Sequence, residues 1–225
     1  MAGINTYNEK ALHLALKQWY AQAGDELEAP RAGSIIDIVR GDLLIEIQTG
    51  NFTAIRRKLT RLARAHPVRL VYPIPQEKWI IKLDADGRPL SRRKSPTRRG
   101  PAYVFAELVR MPTFLTLPDT SLHILLIQEE EARVFDGQRA WRRRGWVTQE
   151  RRLLNVVDNL LWQSPADCLA LLPPDLPRPF STADLAASLG EPRWLAQKMV
   201  YCLREMGQIT QVGKRGNAHL YARAA

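Results

Sequence analysis

The chain has 225 residues, 45% of them hydrophobic, and 33 lysines and arginines against 23 aspartates and glutamates, for a net charge of +10. That composition supports a packed core and excludes a disordered chain, and no apolar run reaches the roughly 20 residues of a membrane span. Two cysteines, Cys168 and Cys202, exclude a disulfide framework and point to a reducing, cytoplasmic setting, while the positive excess points to a polyanionic partner, most simply nucleic acid.

The first helix is predicted over about 7–22, with Leu12, Leu16, Trp19, Tyr20 and Ala23 on one face. Glu9 and His13 continue that face by one turn, and a surface i, i+4 pair is their plain reading. Residues 34–48 then read as two buried strands, Ile35 to Val39 and Leu43 to Ile47, joined by a tight turn at Arg40, Gly41 and Asp42. Asp37 and Glu46 interrupt these apolar runs, and a charge inside a buried strand is expensive unless it is paired or bound to a metal. Leu44, Glu46 and Gln48 share one face by the two-residue period, and Asp37 lies across the hairpin. Two carboxylates and an amide oxygen make a hard oxygen site that suits Mg²⁺ or Mn²⁺. A helix over about 52–65 turns Phe52, Ile55, Leu59 and Leu62 inward and carries Arg57, Arg61 and Arg64 as a stripe. Such a stripe holds a phosphate backbone or is simply a solvated face. A strand over 68–72 follows, closed by Pro73 and Pro75.

Asp37, followed nine positions later by Glu46-Ile47-Gln48, resembles the metal site of the PD-(D/E)XK, or restriction-endonuclease-like, nuclease superfamily. The order of helix, hairpin, helix and strand over about the first 80 residues is similar to its α-β-β-β-α-β core. The resemblance implies an α+β fold with an α/β core and a Mg²⁺- or Mn²⁺-dependent DNA endonuclease. It implies ligation by Asp37, Glu46 and the Ile47 carbonyl, with Glu9 of the first helix helping to bind or orient the metal. Gln48 stands where the superfamily usually has lysine, and would orient the attacking water without acting as a base. The glutamine also leaves open a non-catalytic DNA-binding or regulatory protein built on the same fold.

Beyond this region 79–83 reads as a strand, and 88–99, with Arg88, Arg92, Arg93, Lys94, Arg98 and Arg99 and no acid, as a mobile basic loop suited to phosphate. Residues 101–110 read as a helix with Val104, Phe105 and Leu108 inward, 122–127 as a strand, and Glu129, Glu130 and Glu131 as a solvated turn. The arginines of 139–146 beside Trp141 and Trp146 suit nucleic acid, or the tryptophans anchor a linker. A helix is predicted over about 148–162, with Leu153, Val156, Val157, Leu160 and Leu161 inward. After a proline-rich joint at 173–179, a helix capped by Ser181 or Thr182 ends at Gly190, and a second runs from Arg193 to about Met206 with Leu195, Met199, Cys202 and Leu203 inward. Strands over 209–212 and 219–222 enclose a basic tip at 213–217. This order resembles a winged helix-turn-helix over about 164–225. It implies DNA contact through Arg193, Trp194, Gln197 and Lys198 of the second helix and through Lys214 and Arg215 at the wing tip. Protein contact or dimerisation is the other use of such a unit. The expected division is a nuclease-like domain at 1–135, a basic connector and helix at 136–163, and the winged helix at 164–225. The expected partner is DNA, reached in part through Arg57, Arg61, Arg92, Arg93 and Lys94, with no membrane. A homodimer would suit double-strand cutting.

Overall fold

The structure is a computed structural model, described for residues 5–137 and 140–224; the side chains of residues 5–10 and of Trp141 lie outside the description. Chain order is α1 (Asn5–Tyr20), β1 (Glu26–Arg31), β2 (Ser34–Arg40), β3 (Leu43–Ile47), α2 (Phe52–Leu62), β4 (Val68–Leu83), β5 (Pro89–Lys94), α3 (Phe105–Leu108), β6 (Thr120–Phe135), β7 (Trp146–Trp162), α4 (Thr182–Leu189), α5 (Arg193–Glu205), β8 (Ile209–Arg215) and β9 (Ala218–Arg223). The fold is α+β. One large sheet runs β1-β2-β3-β4-β6-β7, with β5 on the far half of β4, and β8-β9 form a separate hairpin. β3, β4 and β6 are parallel; the other neighbours are antiparallel.

The helices sort to the faces by their apolar stripes. α1 lays Leu12, Leu16 and Tyr20 on Ile38, Ile45, Ile47, Val71, Leu125 and Ile127. Trp19, expected inward, is 49% exposed, and Ala23 lies beyond the helix end. On the other face α2 turns Phe52, Ile55, Leu59 and Leu62 toward Leu44, Val68, Leu70 and Ile74, each such side chain stabilising by about 1.5–3 kcal/mol. Gly41 takes the positive φ of +56° that the two-residue turn between β2 and β3 requires.

Four sequence expectations are corrected here. Pro73 and Pro75 do not close the strand at 68–72; β4 runs through them and takes in 79–83 as well. The odd-numbered residues of β4 aim their backbone groups at β3, as Val71 O does in accepting from Gln48 N. β3 pairs only as far as Val71, and the pairing of β5 along β4 starts at Trp79, so both prolines withhold a donor from an open edge, where none is needed. The basic loop at 88–99 is partly strand β5, held on β4. Glu129, Glu130 and Glu131 lie inside β6, and Glu129 and Glu131 are buried among Lys78, Arg133 and Arg151. The helix expected over 148–162 is instead the outer strand β7, paired along β6 with three register shifts.

The C-terminal elements follow the sequence closely. Ser181 caps α4 by accepting from Asp184 N, the Asp184 carboxylate accepts in turn from Ser181 N at 2.8 Å, and Gly190 ends the helix at φ +66°. Replacing Ser181 by Ala should therefore lower stability by about 1 kcal/mol, read as a lower urea midpoint with unchanged slope. α5 buries Leu195, Met199, Cys202 and Leu203 as expected. Those side chains join one apolar cluster that also holds Val104, Phe105, Leu108 and Trp162.

Candidate active site

β2 and β3 pair at Arg40↔Leu43, Val39↔Leu44 and Ile38↔Ile45, and then separate. The Asp37 carboxylate fills the opening. Its Oδ2 accepts from the Ile47 backbone N–H at 2.8 Å and lies 3.2 Å from His13 Nε2 on α1. Burial pushes the Asp37 carboxyl up, but the His13 hydrogen bond and charge and the Ile47 N–H outweigh it and hold the group below the ordinary aspartate value. The same hydrogen bond raises His13, against its burial. Lys17, one turn further along α1, is 5% exposed, pairs with Glu28 at 2.5 Å and adds positive charge near Asp37.

Glu46 behaves differently. It is 3% exposed, and Lys58 of α2 touches its Oε1 while donating to Ile35 O at 2.6 Å. The ion-pair contact is not aligned as a hydrogen bond, so among the described residues Oε1 is a buried carboxylate oxygen without one. Burial pushes the Glu46 carboxyl up to about 7, against the pull of Lys58 and with the repulsion of Asp37. Two carboxylates in electrical contact thus sit beside the end of β3, one held ionised and one pushed toward neutrality, which is how environments separate acid from base.

Gln48 donates its amide N–H to Gly50 O in the loop leading to α2. Ile47 meets Asp37 through its N–H. The side chain of Glu9 lies outside the described residues. Among the described residues no three His, Cys, Asp or Glu side chains gather to hold a metal. His13, Lys17 and Lys58 were not assigned to the site from sequence. His13 was legible only as a neighbour of Glu9, and Lys58 is hidden among the arginines of α2.

The basic residues divide into exposed and engaged. Arg57 and Arg93 are exposed. Arg61 donates to Ala32 O and Ser34 Oγ and so secures the turn between β1 and β2. Arg92 pairs with Glu130 at 2.8 Å, and Lys94 with Glu77 at 2.7 Å, both beside the Trp79 ring. On α5, Arg193, Gln197, Tyr201 and Arg204 line a groove of about 430 Å³ together with Asn217 and His219 of the hairpin. Tyr201, Arg204 and His219 were missed, although the α5 members recur at i, i+4, i+8 and i+11, opposite the buried stripe. Lys198, half-buried, donates to Ala106 O at 3.1 Å and lies over the Trp194 ring, so it helps seat α5 on the α3 segment. Trp194 meets Tyr103 edge-on at 6.1 Å. Lys214 is exposed, whereas Arg215 is held by Asp184 at 2.8 Å.

Residues 10–163 match the family described as Domain of unknown function (DUF8091), and the chain belongs to that family. An uncharacterized protein of Treponema pallidum (strain Nichols) is 31% identical over 225 residues, covering 97% of this chain and 86% of the relative. No solved structure matches the chain. Among the described residues no helix is long and apolar enough to cross a membrane.

Proposed function

We propose that this protein is a divalent-metal-dependent DNA endonuclease with a restriction-endonuclease-like core, delivered to DNA by a C-terminal winged helix. The observation that carries the reading is the parting of β2 and β3, which leaves the Asp37 and Glu46 carboxylates coupled beside the end of β3. The fit to Mg²⁺ or Mn²⁺ rests on these oxygens: a buried Glu46 Oε1 without an aligned hydrogen bond, and a neighbouring carboxylate that repels it. Asp37 and Glu46 would hold the ion, which when bound acidifies a water and offsets charge at a scissile phosphate. Lys58 places an ammonium against Glu46, where the superfamily's strand lysine is replaced by Gln48. Its role is to orient the phosphate or the attacking water. His13 orients Asp37. The α-β-β-β-α-β order of α1 to β4 and the parallel β3-β4 pair support the assignment of the core.

The α5 groove is the DNA face, with Arg193, Gln197, Tyr201 and Arg204 toward the backbone and Lys214 at the wing tip. Duplex affinity is expected to fall steeply with salt, and Arg193→Ala with Arg204→Ala to reduce the slope by about one unit for each phosphate no longer neutralised. Fluorescence anisotropy in a salt series measures it. A slope unchanged in the double variant removes this face from the assignment.

The deciding experiment is supercoiled-plasmid nicking in Mg²⁺, Mn²⁺ and EDTA. Wild type is expected to nick in metal alone, and Lys58→Ala to lose nicking while keeping DNA affinity. A second reading, DNA binding without cleavage, is favoured by the tie of Gln48 to Gly50 and by the two-carboxylate donor set. Salt-sensitive binding with no nicking in any metal would establish it instead.

A further inference from the structure

A second polar site lies farther along the sheet. Lys78 is eight residues beyond Leu70, the register partner of Glu46, or about 25 Å along β4. There a cavity of about 170 Å³ is lined by Lys78, Arg99, Arg133 and Arg143 with Ser95 and Thr97, and among the described residues the only acid in its wall is Glu131. Its donors come from four separate segments: β4, the loop after β5, β6, and the 3-10 turn Trp141–Arg143.

Glu131 cannot balance this charge. It is 3% exposed, and its oxygens already accept from Lys78 at 2.6 Å, Arg133 at 2.8 Å and Thr148 at 2.7 Å, while Arg143 pairs with it more loosely at 3.6 Å and donates to Thr148 Oγ1 at 2.9 Å. Burial pushes the Glu131 carboxyl up, but Lys78, Thr148 and Arg133 together bring it down to about 2, so it is ionised at all ordinary pH. Beneath it Glu129, 0% exposed, takes Arg151 at 2.6 Å and the other side of Lys78 at 2.8 Å. Four cations thus pair with two buried carboxylates and Arg99 adds a fifth in the cavity wall, an excess of three, and the carboxylates fix Lys78 and Arg133 in place. Arg99 lies over the Tyr103 ring, at 5.3 Å. Fixed cations and hydroxyls converging from several directions suit a tetrahedral anion, whereas a planar carboxylate is satisfied by one arginine fork. The volume of about 170 Å³ equals about six waters at ~30 Å³ each, room for a phosphate group.

We infer that this cavity binds a phosphate group, carried either by a nucleic-acid end or by a free phosphate ester. The inference does not rest on the cleavage reading, because it is tested by binding alone, in EDTA.

The test compares wild type with Arg99→Gln/Arg143→Gln, which leaves Glu131 its Lys78, Arg133 and Thr148 partners, and with Ser95→Ala/Thr97→Val as a second, uncharged probe. Melting temperature is measured in inorganic phosphate and in chloride of equal ionic strength. Anisotropy is measured on one single-stranded oligonucleotide with a 5′-phosphate or a 5′-hydroxyl. Phosphate is expected to protect wild type beyond chloride, and both variants to lose that excess. A 5′-phosphate preference of about tenfold, abolished in the variants, assigns the site to nucleic-acid ends. Protection by phosphate without end preference assigns it to a free phosphate ester. No phosphate-specific protection and no end preference, or effects undiminished in both variants, overturns the inference.

Discussion

Glu46→Gln is expected to lose metal-dependent nicking by at least about a hundredfold and yet to melt higher than wild type at pH 8. The loss follows from removing one of two carboxylates offered to the ion, since metal stabilisation of a transition state is worth several kcal/mol and each 1.36 kcal/mol is tenfold in rate. The gain follows from linkage. The Glu46 carboxyl sits at about 7 in the folded chain against 4.5 for an ordinary glutamate. The folded state then binds the proton more tightly, so stability falls as pH rises from about 4.5 to 7, by roughly 3 kcal/mol once both states are ionised. Glutamine carries no charge to bury, and Lys58 keeps its bond to Ile35 O. The advantage should be several degrees at pH 8 and disappear near pH 5. Asp37→Asn should lose nicking equally but melt lower. Its carboxyl is depressed, so its stabilisation is present above the ordinary aspartate pKa and is lost only as pH falls through the depressed value. The deficit should shrink as pH rises through the raised pKa of His13, because a neutral imidazole has no ion pair to lose. Plasmid nicking and thermal melts at pH 5, 6.5 and 8 read all of this together. If wild type does not nick in Mg²⁺ or Mn²⁺ and both variants melt lower at every pH, the acids are structural and the nuclease reading fails.

Cutting the chain after Gln163, where the family match ends, should leave a protein that does not fold cooperatively. The reason is the shared core. The segment Pro101–Val104 and α3 bury Ala102, Val104, Phe105 and Leu108, and α5 packs on both. Phe105 in turn meets Trp162 with ring centroids 5.9 Å apart. Uncovering four or five such side chains removes roughly 1.5–3 kcal/mol each. The sum, near 10 kcal/mol, approaches the whole stability of an ordinary domain, about 5–15 kcal/mol. Loss of near-ultraviolet circular dichroism with retained far-ultraviolet signal is the expected result. A truncated chain that melts in one sharp transition near the full-length temperature would show that the large sheet needs no cover from α5.

Where the sequence was read correctly, the information is local. The turn at Gly41, the Ser181 cap, the Gly190 stop and the buried stripe of α5 each depend on residues within a few positions of one another. Where it was misread, a partner distant in sequence decides. Glu129 and Glu131 look solvated until β4 and β7 bring Lys78 and Arg151 beside them. Arg92 and Lys94 look like a free basic loop until β4 supplies Trp79 and Glu77, and β6 supplies Glu130. Leu153 and Val156 explain the false helix over 148–162. They are three apart yet both pack on the α1 side, because Leu154 is an extra residue with no register partner on β6. Each such insertion turns the two-residue period of a strand into an apparent helical spacing. At the candidate site the two acids were legible as charges in apolar strands. The opposite directions of their pKa shifts were not, because His13 of α1 holds Asp37 down while the packing around Glu46 buries it and pushes it up against the pull of Lys58 of α2.

The same three register shifts bear on how molecules behave in a crowd. β7 is a 17-residue outer strand, long enough to act as a template on which further copies could stack edge to edge. Its unpaired backbone groups keep no single straight repeat, since Gln149, Leu154 and Val157 each break the count against β6. An incoming chain that aligned with one stretch would be out of step with the next, and the added twist at each insertion turns the rim away from it. The strand that ends the sheet therefore carries a safeguard against fibril growth, written in three surplus residues.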